Sequence, residues 1–295
     1  MRRAPLIAAV AAIVAFMPTS VSAWGTTAHR LIMARAIDAL PADVKPFFVQ
    51  HRDELVLRVI DPDLWRNVGW EDDPNHFINF GVKEFGEYPF RELPREYGAA
   101  LEKFGIATLK RDGMVPWRFA EQFGNLRRAF EGFTRNSPFA PSDVVVYSAI
   151  AAHYIQDATQ PLHATNNYDG QLTGNTGIHA RFESALVERF QSRLTLSPGP
   201  AIGIKNARDY AFDTCLSGYK LVDAILSADN DAKAGKEVYD DDYFEKLFAR
   251  VKPMLEDRLS ASITSTANMI VGGWEQAGKP KLTLADTARP SQKIR

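Results

Sequence analysis

Residues 149–163, AIAAHYIQDATQPLH, constrain the fold more than any other stretch of the chain. The segment begins as an apolar helix, with Ser142 or Asp143 as the expected N-cap and Val144 to Val146 as the first buried turn. His153 and Asp157 are four residues apart and project from one face of that helix. Pro161 lacks a donor and pushes Gln160 out of the helical region, so the helix ends there. His163 follows the break and can return to the same space. One reading is an ordinary amphipathic helix with two satisfied histidines. The other is a metal-ligand arrangement, an imidazole and a carboxylate on one face with a second imidazole after the turn.

The chain has 295 residues, enough for one large domain or two small ones, and its 45% apolar and 24% charged residues suit a globular protein with a full core. A net charge of −1 offers no basic field for long nucleic-acid duplexes, though it leaves room for a small or single-stranded substrate held locally. Cys215 is the one cysteine, so no intrachain disulfide can form, and its apolar surroundings suggest a buried small hydrophobe.

Residues 1–23 read as a secretory signal. Arg2 and Arg3 precede an apolar run from Leu6 to Met17, and Val21-Ser22-Ala23 is a small-residue cleavage site. Cleavage after Ala23 would leave Trp24 as the mature N-terminus of a secreted or periplasmic protein. The alternative is an uncleaved membrane anchor. Thr26 or Thr27 can cap a helix through His29, Ile32, Ala36 and Leu40, stopping at Pro41. Residues 42–58 read as a second helix, and residues 60–66 as a break holding Asp61, Asp63 and Arg66. His76 to Phe80 is an aromatic stretch around one histidine, and residues 81–116 read as loops with short helices. Helical patterns return over 117–134 and, after a Gly-rich loop at 166–177, from Ile178 onward, where His179 and Glu183 repeat the four-residue spacing. Two long helical patterns follow, at about 205–228 and 241–275, and residues 278–295 read as a disordered tail. No strand-period segment stands out. The expected fold is all-α: a single-domain, multi-helix bundle over residues 24–277 with no transmembrane helix in its mature form and no implied protein partner.

Five of the six histidines (His29, His76, His153, His163 and His179) lie near carboxylates, other histidines or aromatic residues. Imidazole and carboxylate ligands without cysteine suit zinc in an open, hydrolytic site.

In order, Trp24 directly after the cleavage site, His29, Asp63, His76-Phe77, His153-x-x-x-Asp157, Gln160-Pro-Leu-His163 and His179-x-x-x-Glu183 resemble the superfamily of zinc-dependent phospholipases C and S1/P1 nucleases. The resemblance covers Trp24 to about Phe190 and implies an all-α fold with a trinuclear zinc site. It implies one ion on Asp63, His76, His153 and Asp157. A second would lie on the amine and carbonyl of Trp24, on His29 and on the bridging Asp157, and a third on His163, His179 and Glu183. Asp61 competes with Asp63. Asp63 is preferred because Asp63-x-x-Arg66 is similar to the nuclease pattern, in which the arginine contacts the scissile phosphate. Asp63 and Arg66 are then the candidate catalytic residues, and Phe77 and Asn79 the candidate substrate-binding ones.

Arg35-Ala-Ile-Asp38, His163-Ala-Thr-Asn166, Glu183 and the short loop between His163 and His179 are similar to the phospholipase C branch. The close spacing of Trp24 and His29 and the Asp63–Arg66 pattern are similar to the nuclease branch, but Asn79 stands where nucleases carry a base-recognising aspartate. The preferred expectation is a secreted phosphodiesterase acting on phospholipids. The alternative substrate is single-stranded nucleic acid or nucleotides. A third reading is a zinc-binding protein without catalysis.

Overall fold

The computed structural model describes residues 24–235 and 238–284. The expected signal, residues 1–23, and the last part of the expected tail, residues 285–295, lie outside the described residues. Among the described residues every regular element is helical and no strand occurs, so the fold is all-α. The helices are α1 (Thr26–Asp38), α2 (Lys45–Gln50), α3 (Arg52–Arg58), α4 (Asp61–Asn67), α5 (Tyr97–Asp112), α6 (Val115–Thr134), α7 (Ala140–Thr159), α8 (Ile178–Ala180), α9 (Leu186–Phe190), α10 (Ala207–Tyr219), α11 (Val222–Lys233) and α12 (Asp241–Gln276). None is long and apolar enough to cross a membrane.

The organising stretch forms the second half of α7. Apolar side chains on all its faces require a helix to be enclosed, and α1, α3, α6, α10 and α12 surround it. From Ser148 to Ala164 every residue is buried. The helix starts earlier than expected. Phe139 is the N-cap, and Ser142 and Asp143 lie inside the first turn, because Pro141 sits where a proline's fixed φ favours a helix start. Likewise Gly25, rather than Thr26 or Thr27, caps α1. The expected helix over 42–58 is two, parted at His51 (φ −104°, ψ 17°).

The expected break at 60–66 is helical instead. Pro62 occupies the first turn of α4 with Asp61 and Asp63, which favour a helix N-terminus electrostatically. Residues 97–112 are more helical than expected, bending at Gly105, whose φ of +74° suits glycine. The pattern at 205–228 resolves into α10 and α11, and α12 runs through Pro253. Cys215 is buried, as expected.

Between Leu194 and Ile204 the chain is an extended strap with no sheet partner. Its amides are satisfied from α12: Thr195 donates to Glu256 (2.6 Å), Ser197 to Ser260 (3.0 Å), Gly199 to Thr264 (2.9 Å) and Ile202 to the Asn268 side chain (2.7 Å). Two extended residues advance about 6.6 Å and four helical ones about 6.0 Å, so the alternate amides of Thr195, Ser197 and Gly199 meet every fourth residue of α12, and the last step, to Ile202, takes three strap residues. At its end the strap lies directly on Gly272, where a Cβ would meet the Ile204 nitrogen at 2.5 Å and its oxygen at 2.7 Å. Gly272→Ala is therefore expected to lower unfolding free energy by roughly 1–3 kcal/mol, because overpacking outweighs the helix-propensity gain of up to about 1 kcal/mol. Denaturant unfolding of the two proteins checks it.

Candidate metal centre

The last two turns of α7 carry His153 and Asp157, both fully buried. At the helix end Gln160 turns out (φ −77°, ψ 118°), and its side-chain oxygen accepts from the Leu162 amide at 2.5 Å. This tight turn brings His163 back toward Asp157 (Nδ1 to Oδ1, 3.9 Å). Helix α1 supplies His29, and the segment after α4 supplies His76. His179 lies in α8, and Glu183 in the π-helical turn Arg181–Ala185 that follows.

The outer hydrogen bonds fix each imidazole tautomer. Carbonyl oxygens only accept, so Nδ1 carries the proton in His153 (to Val59 O, 2.8 Å), His163 (to His76 O, 2.8 Å) and His179 (to Tyr168 O, 3.1 Å). The His29 Nδ1 faces the Gln156 side-chain oxygen at 2.6 Å. Gln156 is oriented by giving its amide to Thr266, whose own hydroxyl donates to Ser262 O. His76 directs Nε2 at Asp72 (3.0 Å), and Asp72 also accepts from Tyr154 (2.7 Å) and Asn75 (2.8 Å). The inner nitrogen of each neutral imidazole therefore presents a lone pair, whereas His76 Nδ1, 3.0 Å from the Asp157 carboxylate, holds a proton in the metal-free protein.

Those lone pairs converge on one another and on carboxylates. His76 Nδ1 and His153 Nε2 lie 3.0 Å apart, and His163 Nε2 and His179 Nε2 3.1 Å apart. Asp157 points Oδ2 at His76 (3.0 Å) and His153 (3.3 Å), and Oδ1 at His29 (3.3 Å). His29 Nε2 and Asp157 Oδ1 are buried without a hydrogen-bond partner. Acceptors facing acceptors away from water are repulsive unless a proton or cation lies between them. The donor set fits metal ions, and three groups could hold them, the first two sharing His153: His29, His153 and Asp157; Asp63, His76 and His153; His163, His179 and Glu183. Within each group the ligand atoms lie within 4.8 Å of one another.

Asp63 Oδ1 stands 3.8 Å from both His76 and His153, whereas Asp61 pairs with Arg58 at 3.4 Å outside these groups. Arg66 reaches Asp63 (3.6 Å) and binds Asp73. Trp24 is fully buried, and its indole donates to Thr159 at 3.2 Å. Gly25 follows and packs so closely on Ser184 that a Cβ there would collide with it. The chain beside Trp24 is thus pressed against the turn that holds Glu183.

Outside this centre, sequence reading missed Asp72 and Gln156 and gave Gln160 only as part of a motif. Asp72 orients His76 and lies 3.6 Å from Arg118. Gln160 donates to Glu183 at 2.9 Å. The signal for Asp72 was present, since Asp72-x-x-x-His76 has the same spacing as the pairs that were singled out.

A cavity of 290 Å³ opens onto His76, His163 and His179. Phe77, Asn79, Arg66, Asp73, Arg111, Leu162 and Tyr168 complete its walls. Asn79 donates to Arg111 O at 3.4 Å, and its buried Oδ1 has no hydrogen-bond partner. Phe77 and Asn79 therefore lie where a group bound beside the ligands would meet them.

Without metal, protons take up the electrostatic load. Burial pulls the His76 imidazolium down, but hydrogen bonds to Asp157 and Asp72 and the nearby carboxylate charges outweigh it and raise its pKa to about 9. Burial pushes Glu183 up to about 7, against the opposing pull of His179 and Gln160. Burial also pulls His163 down to about 3 despite the Asp157 charge. Burial opposes ionisation of Asp157, yet His153, His29 and His76 hold its carboxyl well below the usual range.

The Glu183 contribution to stability is present below about 4.5 and lost as pH rises through about 7. The His76 contribution is present below about 6.5 and lost as pH rises through about 9. His163 contributes above about 6.5, and its contribution is lost as pH falls through about 3. Between pH 7 and 9 stability is lost at His76, and His29 and His179, whose pKa values burial lowers but the carboxylates of Asp157 and Glu183 raise by more, act in the same direction. The metal-free protein is expected to lose stability on the order of 2 kcal/mol across that window. Metal-loaded protein, with the lone pairs engaged, should be nearly flat there, and thermal melts with and without a chelator check both.

No protein-family model and no curated protein matches this chain.

Proposed function

We propose that this protein is a zinc-dependent phosphodiesterase with three ions per chain, held by the residues of these ligand groups together with Trp24. The observation that carries the reading is Asp157, whose two oxygens face different histidine sets: His29 on one side, His76 and His153 on the other. A carboxylate so placed can bridge two cations, which two-metal phosphoester sites hold about 3.5–4 Å apart. Asp63, His76, His153 and Asp157 would hold one ion. His29 and Asp157, with the amine and carbonyl of Trp24 once residues 1–23 are removed, would hold a second. His163, His179 and Glu183 would hold the third. Zinc, when bound, supplies charge that neutralises a phosphodiester and brings the pKa of water to about 7.

The chain's own residues supply the rest. Asp63, beside His76 and His153, is the base that accepts a proton from the attacking water. Arg66, at the cavity wall, stabilises charge on the phosphate as it develops, by turning from Asp73 toward the substrate. Phe77 and Tyr168 present apolar walls, and the Asn79 amide offers one orienting hydrogen bond.

For the substrate we favour a phospholipid. Leu64, Val68 and Trp70 are 48%, 69% and 61% exposed on and just after α4, the helix that carries Asp63 and Arg66, and these apolar side chains suit a lipid. The second reading, a nuclease for single-stranded substrates, is favoured by the aromatic walls of the cavity, on which a base could stack. Zinc-loaded protein starting at Trp24 should be given phosphatidylcholine vesicles and single-stranded DNA in parallel. Release of the phosphorylated head group, with slower cleavage of DNA, is expected. The reverse order would establish the nuclease reading. Three bound ions with neither activity would establish a non-catalytic zinc protein.

The N-terminal ligand has its own test. An α-amine, with a pKa of about 7.7–8.0, can lose its proton to zinc near neutral pH, whereas a peptide nitrogen is a very poor donor. Protein beginning at Trp24 is expected to hold one more zinc ion than protein with one residue added before it, and to be much more active. Equal zinc content and activity would show that only the buried indole matters.

A further inference from the structure

Helix α8 and the π-helical turn after it bring His179 and Glu183 together at 2.9 Å and send Arg181 the opposite way. Arg181 is buried, and all its bonds run to the protein rather than to the cavity. Its Nε donates to the Tyr243 hydroxyl (2.9 Å), one terminal nitrogen to Thr176 O (2.9 Å), and the other to Asn175 O (3.1 Å) and both oxygens of Asp229 (3.0 and 3.1 Å). The Tyr239 ring covers the guanidinium at 3.9 Å. Asp229 is completed by the Asn175 amide at 2.7 Å and the Tyr243 hydroxyl.

A buried ion pair is weak evidence for stability, because apolar side chains of similar volume often do as well. Its placement suggests another role. The pair joins the loop before α8 to Asp229 of α11 and Tyr243 of α12. That loop is the connection between His163 and His179. Within it, Tyr168 O accepts from His179 Nδ1, and Asp169 accepts from the His179 amide at 3.3 Å. At Gly177, with φ +86°, a Cβ would meet the Arg181 guanidinium at 2.7 Å, so the chain is folded tightly against this side chain. No residue of the pair lines the cavity.

We propose that Arg181 and Asp229 are a positioning pair for the His163–His179–Glu183 group, fixing the loop and the π-turn so that this group retains its ion independently of the other two. The proposal rests on the reading of that group as a zinc site.

The test loads the full mature protein and variants with zinc, then measures ions per chain, release kinetics to a competing chelator, and thermal melting. Arg181→Met/Asp229→Leu replaces the pair with apolar side chains and leaves no unpaired charge. It is expected to melt close to wild type, to keep two ions at wild-type release rates, and to lose the third roughly 10–100-fold faster. Recovery of both the melting temperature and wild-type release of all three ions would show a purely structural pair and overturn the proposal. Should the double variant fail to fold, Tyr243→Phe removes one bond from each partner and keeps the ring. Faster release of a single ion supports the proposal, and unchanged release overturns it. Wild-type protein with no zinc on His163, His179 and Glu183 would overturn both the site reading and this proposal, whereas three ions in wild type with unaltered variants overturns the proposal alone.

Discussion

Five imidazoles turn lone pairs inward against the carboxylates of Asp63, Asp157 and Glu183, and this concentration of acceptors in a nearly water-free space is what the rest of the molecule has to accommodate. In a low-dielectric interior such an arrangement stands only when positive charge enters it, as protons or as ions. The upward displacement of His76 and Glu183 shows the proton solution, and the converging nitrogens fit the metal solution. Helix α7 can be enclosed because it carries no charged side chain from Val144 to Ala152, and the centre absorbs His153 and Asp157 in its last two turns.

The centre has a stiff rear and a segmented front. Its rear comes from α1 and α7, which are held in the core by Ala28, Ile32, Ala152 and Ile155. Its front is made by the last turn of α4 and the connections after α4 and after α7, where Arg66, Phe77 and Tyr168 surround the cavity. Precision comes from the helices, and room for a ligand comes from the connections. The strap over α12 and the Arg181–Asp229 pair are the devices that keep irregular chain from drifting.

Legibility in the sequence followed the range of the forces. The α7 segment and the pairs His153/Asp157 and His179/Glu183 depend on helical spacing and could be read directly. Pro62 was misread because a proline breaks a helix in its interior but starts one in its first turn, and the local pattern around Asp61 does not separate the two cases. The strap was invisible because its hydrogen bonds come from side chains some sixty residues later, beginning with Thr195 to Glu256. Gln156 looked like one more residue of an apolar helix, and only the tertiary structure shows it aimed at His29.

Three of the five imidazoles are oriented by main-chain carbonyls, those of Val59, His76 and Tyr168. These acceptors survive replacement of the side chains that accompany them, so the larger part of the scaffolding around the imidazoles is written in backbone path rather than in residue identity. A library of point substitutions would detect Asp72 and Gln156 and pass over the other supports entirely. Loop grafts and single-residue insertions, which move carbonyls without altering the ligands, are the changes to which this centre is most exposed.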